Sequence, residues 1–165
     1  MQGSAYNRAV FHDTGLAMKR LFSGMCIAGW AFAAVHASAE VTVTEAWVRG
    51  TQATESATAV YMKLRSRTDL SLVNAASPAA GIVEIHEMKM SGGVWVMRSI
   101  DDVPLPAGRT VELKPGGHHV MLIELWKPLV KGDRVPFTLT FVDSTGKRSK
   151  LEFKAEVRAA GAPSK

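Results

Sequence analysis

Glu84-Ile85-His86-Glu87-Met88-Lys89-Met90-Ser91-Gly92-Gly93-Val94-Trp95-Val96-Met97 is two strand-like segments joined by a glycine pair. Strand side chains alternate between faces, so His86, Met88 and Met90 share one face. Gly-Gly suits a two-residue type I′ turn, in which both central residues take positive φ. That turn pairs Ser91 with Val94 and sets Met88 opposite Met97. His86 then becomes the diagonal neighbour of Met97 on the same face. A three-residue loop would reverse the parity and send Met97 to the other face.

The chain on either side reads the same way. Strand candidates lie at 41–48, 58–64, 70–74, 82–90, 94–100, 110–113, 118–126, 135–142 and 150–157. Turn signals separate them: Ser77-Pro78, Pro106-Ala107-Gly108, Pro115-Gly116-Gly117, Lys131-Gly132-Asp133 and Ser144-Thr145-Gly146. Short strands at this spacing, with no helical pattern beyond residue 40, predict an all-β Greek-key β-sandwich or barrel.

Upstream, Met18-Lys19-Arg20 is a basic start, 21–35 an apolar run, and Ala37-Ser38-Ala39 a small-residue cleavage site. The stretch 18–39 is therefore expected to be a signal peptide, cut after Ala39, with 1–17 an upstream extension. The run is too short and too rich in Ala, Gly and Ser for a retained anchor. Cys26 has too little apolar sequence ahead of it for a lipoprotein signal. A single domain at 40–158 and a frayed tail at 159–165 complete the expected organisation.

Cleavage would leave 126 residues, remove the one cysteine, and reduce the net charge from +5 to +3. A chain without cysteine has no disulfide, thiolate ligand or cysteine nucleophile, which excludes blue-copper, iron–sulfur and Cys-type zinc centres. The basic residues are scattered rather than striped, so nucleic acid is not an expected partner. No membrane insertion is expected after cleavage.

Beyond residue 39 the chain has three histidines (His86, His118, His119) and five methionines (Met62, Met88, Met90, Met97, Met121). His119-Val120-Met121 projects an imidazole and a thioether from one face of a strand that begins just after Pro115-Gly116-Gly117, at the rim. Two imidazoles and two thioethers form a soft, neutral donor set. Such a set suits Cu(I) and is poor for Zn(II), Mg(II) or Ca(II). Methionine also survives where paired thiolates would oxidise.

The spacing His86-x10-Met97-x21-His119-x-Met121 resembles the signature of the periplasmic copper chaperone family PCu(A)C. Similar surroundings include Glu45-Ala46-Trp47-Val48-Arg49, Val83-Glu84-Ile85-His86-Glu87 and Leu113-Lys114-Pro115-Gly116-Gly117-His118-His119. The resemblance covers about residues 40–157. It implies a cupredoxin-like fold and one Cu(I) per chain, held by His86, Met97, His119 and Met121. It also implies a periplasmic location and delivery of copper to the apo copper A subunit of cytochrome c oxidase, alongside a Sco-type protein. Some members carry a His/Met-rich tail that binds further copper. Residues 158–165 contain neither residue type, so one principal site is expected.

Taken singly, Met97 and Met121 would read as core fillers. His118 should point away from His119. Met88 and Met90 are expected to form an apolar collar. Met62, Trp47, Trp95 and Trp126 are expected in the core, with Trp95 near enough to the turn to shield a metal. Glu84 and Glu87 read equally as cation attractors or exposed strand charge. Two rival functions remain: a copper buffer or resistance protein, and a metal-free β-sandwich interaction module. An enzyme is not expected, because the cluster holds no nucleophile–base pair.

Overall fold

The computed structural model describes residues 40–160. Ten strands follow in order: β1 (Val41–Arg49), β2 (Ala57–Ser66), β3 (Leu70–Ala76), β4 (Ala80–Ser91), β5 (Val94–Ser99), β6 (Val103–Leu105), β7 (Thr110–Leu113), β8 (His118–Leu125), β9 (Arg134–Asp143) and β10 (Arg148–Arg158). Among the described residues no helix is long and apolar enough to cross a membrane. The expected extension at 1–17 and signal peptide at 18–39 lie outside these residues, as does the tail beyond residue 160.

The strands form one hydrogen-bonded path, β5-β4-β8-β2-β1-β10-β9-β3-β6, with β7 on β2. Among the described ladders only β1–β10 is parallel. This is the expected all-β, cupredoxin-like fold. The path does not close into a barrel; β5 and β6 are its two edges. The edge of β2 is divided, with Ala57–Val60 pairing β8 and Met62–Arg65 pairing β7. The turn between β7 and β8 therefore opens beside the middle of β2. There Lys114 donates to the His118 carbonyl (2.8 Å) and Gly117 to the Lys114 carbonyl (3.0 Å), which fixes where β8 begins.

Alternation along β8 separates the core from what lies outside it. Val120 and Leu122 are fully buried and join Leu64, Leu72, Leu139 and Phe141 in one cluster. That cluster draws on both halves of the path. His119 and Met121 point to the opposite face. The chemistry-bearing residues thus stand on a sheet whose other side is anchored by packing. Leu122→Ala is expected to lower the unfolding free energy by about 2–5 kcal/mol, read as a shift of the urea midpoint. A loss well below 1 kcal/mol would show that this face of β8 is not packed.

Two expectations are corrected. The structure adds a tenth strand, β6, which the sequence pattern does not show: Asp101-Asp102 and two prolines surround it, so no alternation is visible. Of those prolines Pro104 is the middle residue of β6 and Pro106 follows it; the strand forms because Val103 and Leu105 are buried against the core while Pro104 stays exposed on an edge strand, where a missing N–H does no harm. Trp95 and Trp126 are not core residues; they are 56% and 69% exposed, whereas Trp47 and Met62 are buried. All six residues of β5 are exposed, and among the described residues no strand pairs its outer edge.

Candidate metal centre

The hairpin β4–β5 has the two-residue turn. Gly92 and Gly93 take φ of 58° and 83°, and the register pairs Ser91 with Val94, Met88 with Met97 and His86 with Ser99. Across the other edge of β4, His86 stands opposite His119 and Glu84 opposite Met121. Both registers are even, so His86, Met88, Met97, His119 and Met121 share one face. His118 falls on the other face, opposite Glu87. There Glu87 accepts hydrogen bonds from Nε (3.2 Å) and Nη2 (3.0 Å) of Arg98, tying β4 to β5. The Arg98 hydrogen bond, ahead of any charge effect, holds the Glu87 carboxyl below the usual carboxylate range.

The site face has a small-residue floor. Ala59 and Ala57 of β2 stand directly opposite Met121 and Ile123. Their short side chains leave a cleft of about 260 Å³, lined by Met88, Met97, His119, Met121 and Tyr61 among others. Tyr61 packs against Trp47 with the rings tilted by 43° and their centroids 4.6 Å apart, and lies 6.3 Å from the His119 ring. Larger clefts beside Leu105 and Phe153 are lined by no imidazole or thioether.

The imidazoles are held in defined tautomers. His119 Nδ1 lies 3.0 Å from the Gly117 carbonyl. A carbonyl can only accept, so Nδ1 carries the proton and the neutral ring presents its lone pair at Nε2. That atom is 3.3 Å from Met97 Sδ. A thioether sulfur is also an acceptor, so two lone-pair atoms lie in contact, and a cation seated beside both would be held by both. Ligands at ~2.0 Å (nitrogen) and ~2.3 Å (sulfur) at a tetrahedral angle would sit about 3.5 Å apart.

His86 lies with its ring centroid 5.8 Å from that of His119. Its Nε2 is 2.8 Å from Glu84 Oε2. A carboxylate oxygen accepts, so in the neutral ring Nε2 donates and the lone pair falls on Nδ1. That atom is buried and has no hydrogen-bond partner. A buried acceptor without a partner is costly in an apo protein and is explained where a ligand completes it. Among the described residues no three His, Cys, Asp or Glu side chains converge on one point. Convergence at this cleft depends on sulfur.

Burial holds the His119 imidazole below its ordinary pKa of 6.5. The Gly117 hydrogen bond works the other way, while His86 and His118 push it further down. The unfolded chain therefore takes up a proton near pH 6.5 that the folded apo protein refuses until lower pH. Stability is complete above that value and is lost as the pH falls towards the folded pKa. The urea midpoint of the apo protein is expected to drop between pH 7.5 and 5. The drop should be smaller in His119→Gln; equal drops would refute the assignment.

The chain is similar to a Leifsonia xyli subsp. xyli protein named "Putative lipoprotein Lxx21020", with 33% identity over 106 residues, 64% of each chain. It is also similar to protein RP573 of Rickettsia prowazekii, with 35% identity over 117 residues, 67% of this chain and 65% of that one. The matches thus span slightly less than two thirds of the length of these curated relatives.

Among solved structures, apo-DR1885 from Deinococcus radiodurans is 31% identical with a TM-score of 0.56, covering 90% of this chain and 98% of that one. The Cu(I) form of DR1885 gives 31% identity and a TM-score of 0.57, over 76% and 83%. The apo PCuAC domain of PmoF1 shares the fold at 24% identity and a TM-score of 0.59, over 73% and 95%. The family model described as "Putative lipoprotein LpqE-like" matches residues 41–157, and the chain belongs to that LpqE-like family.

Proposed function

We propose that this protein is an exported PCu(A)C-type copper chaperone that binds one Cu(I) through His86, Met97, His119 and Met121. The observation that carries the reading is the pairing of His119 Nε2 with Met97 Sδ at 3.3 Å, two acceptors facing each other in a thioether-lined cleft. The donors are neutral, which suits a monovalent soft ion. The likeness to DR1885, solved with Cu(I), supports the same cargo here. The lipoprotein names of the family and of one relative support export.

Transfer would use the exposed edge. Met97 is 48% exposed on β5, whereas His86 and His119 are buried. An incoming thiolate or imidazole can therefore meet the ion beside Met97, displace that thioether and take the ion down an affinity gradient. The acceptor we favour is the apo copper A subunit of cytochrome c oxidase, directly or through a Sco-type protein.

The test is anaerobic Cu(I) titration of residues 40–165 against a chromophoric competitor, then mixing with a purified apo copper A domain. Tight 1:1 binding followed by transfer is the expected result. Binding without transfer would leave a copper buffer. No competition with the probe would leave a metal-free interaction module.

A further inference from the structure

Beyond the four residues named above, Met88 also stands on the site face. Met88 stands directly opposite Met97 on the neighbouring strand. It lines the same cleft as Met97, His119 and Met121. His86 does not line that cleft: its Nε2 is engaged by the Glu84 carboxylate and its free Nδ1 is buried. The donors fronting the open space are therefore three thioethers and one imidazole. Met90 is the next residue outward on this face; it pairs with Trp95, is 49% exposed and does not line the cleft.

We infer that Met88 is a ligand of the soft cation, alternating with His86 for the fourth position beside His119, Met97 and Met121. This rests on the Cu(I) reading of the site. Cross-strand neighbours have Cβ atoms about 4.5–5.5 Å apart, within the span that two thioethers on one ion require. Methionine has three rotatable bonds, so its sulfur can swing onto a neighbour's ion without moving the strand. Both donors are neutral, so the exchange moves no proton and leaves the charge of the site unchanged. The ion passes from a set containing a buried imidazole to one made chiefly of sulfur near the exposed edge. An incoming acceptor then meets weaker, more mobile donors.

An apolar collar at the same position makes the opposite prediction for a change that removes sulfur and keeps volume. Met88→Leu is such a change. The experiment uses residues 40–165 labelled with [13Cε]methionine and titrated with Ag(I), a redox-inert soft monovalent ion. At one equivalent the Met88 methyl resonance is expected to shift together with those of Met97 and Met121, while Met90 stays in place. Met88→Leu should weaken Ag(I) binding about tenfold, and about a hundredfold when introduced into His86→Ala. The thermal midpoint of the apo protein should not change.

A stationary Met88 methyl beside shifting Met97 and Met121 overturns the inference and leaves the four-ligand site standing. Wild-type affinity in Met88→Leu overturns it also, whichever way the methyl moves. If no methionine methyl responds, the Cu(I) reading itself falls.

Discussion

His119→Ala is expected to weaken Cu(I) binding by about 10²-fold or more and to abolish the rise in thermal midpoint that Cu(I) confers. The magnitude follows from how fully this ring is committed. It is 4% exposed, its Nδ1–H is spent on the Gly117 carbonyl, and its lone pair points at Met97 Sδ. Among the described residues no other imidazole can replace it. His118 is on the opposite face near Glu87 at 3.7 Å, and His86 is held by Glu84.

The fold should survive the change. The Gly117 carbonyl keeps its hydrogen bond from the Met88 amide at 3.1 Å, and Val120 and Leu122 still anchor the inner face of β8. His118→Ala serves as the control and should alter affinity by no more than a few-fold. Wild-type affinity in His119→Ala would remove the central ligand and with it the proposed function.

What could be read in the sequence was local. The turn Gly92-Gly93 demands positive φ, and once that is granted the parity of His86, Met88 and Met97 follows by counting. The i, i+2 spacing of His119 and Met121 needs no partner to be interpreted. The contact between Glu84 and His86 is also an i, i+2 relation on one face. It stayed hidden because a strand carboxylate is usually solvated.

Other features depend on partners that no local pattern names. Ala59 opens the cleft only because the β2–β8 register sets it opposite Met121. β6 is three residues held by its pairing with β3 and by burial. Trp95 departs from expectation for the converse reason: its composition says core, but among the described residues β5 is an edge strand with no layer over it.

Exchanging two neighbouring residues on β5 tests that parity most severely. In the double substitution Val96→Met with Met97→Val, composition, charge and strand propensity are unchanged. The thioether moves by one residue, which on a strand means to the opposite face. There it would stand beside Lys89, the cross-strand partner of position 96, on the face that carries Glu87 and Arg98. The valine introduced at position 97 would occupy the space opposite Met88.

β5 is exposed along its whole length, so little core packing changes and the unfolding free energy should move by no more than about 0.5 kcal/mol. Cu(I) affinity should nevertheless fall as far as in Met97→Leu, about 10–100-fold. If the exchanged protein binds like the wild type while Met97→Leu does not, β5 can slip by one residue to restore the sulfur, and the Gly92-Gly93 turn does not fix the register. If both bind like the wild type, Met97 is not a ligand, and the 3.3 Å approach of its sulfur to His119 is packing alone. Only loss in both, with stability kept, ties affinity to the face on which the sulfur stands.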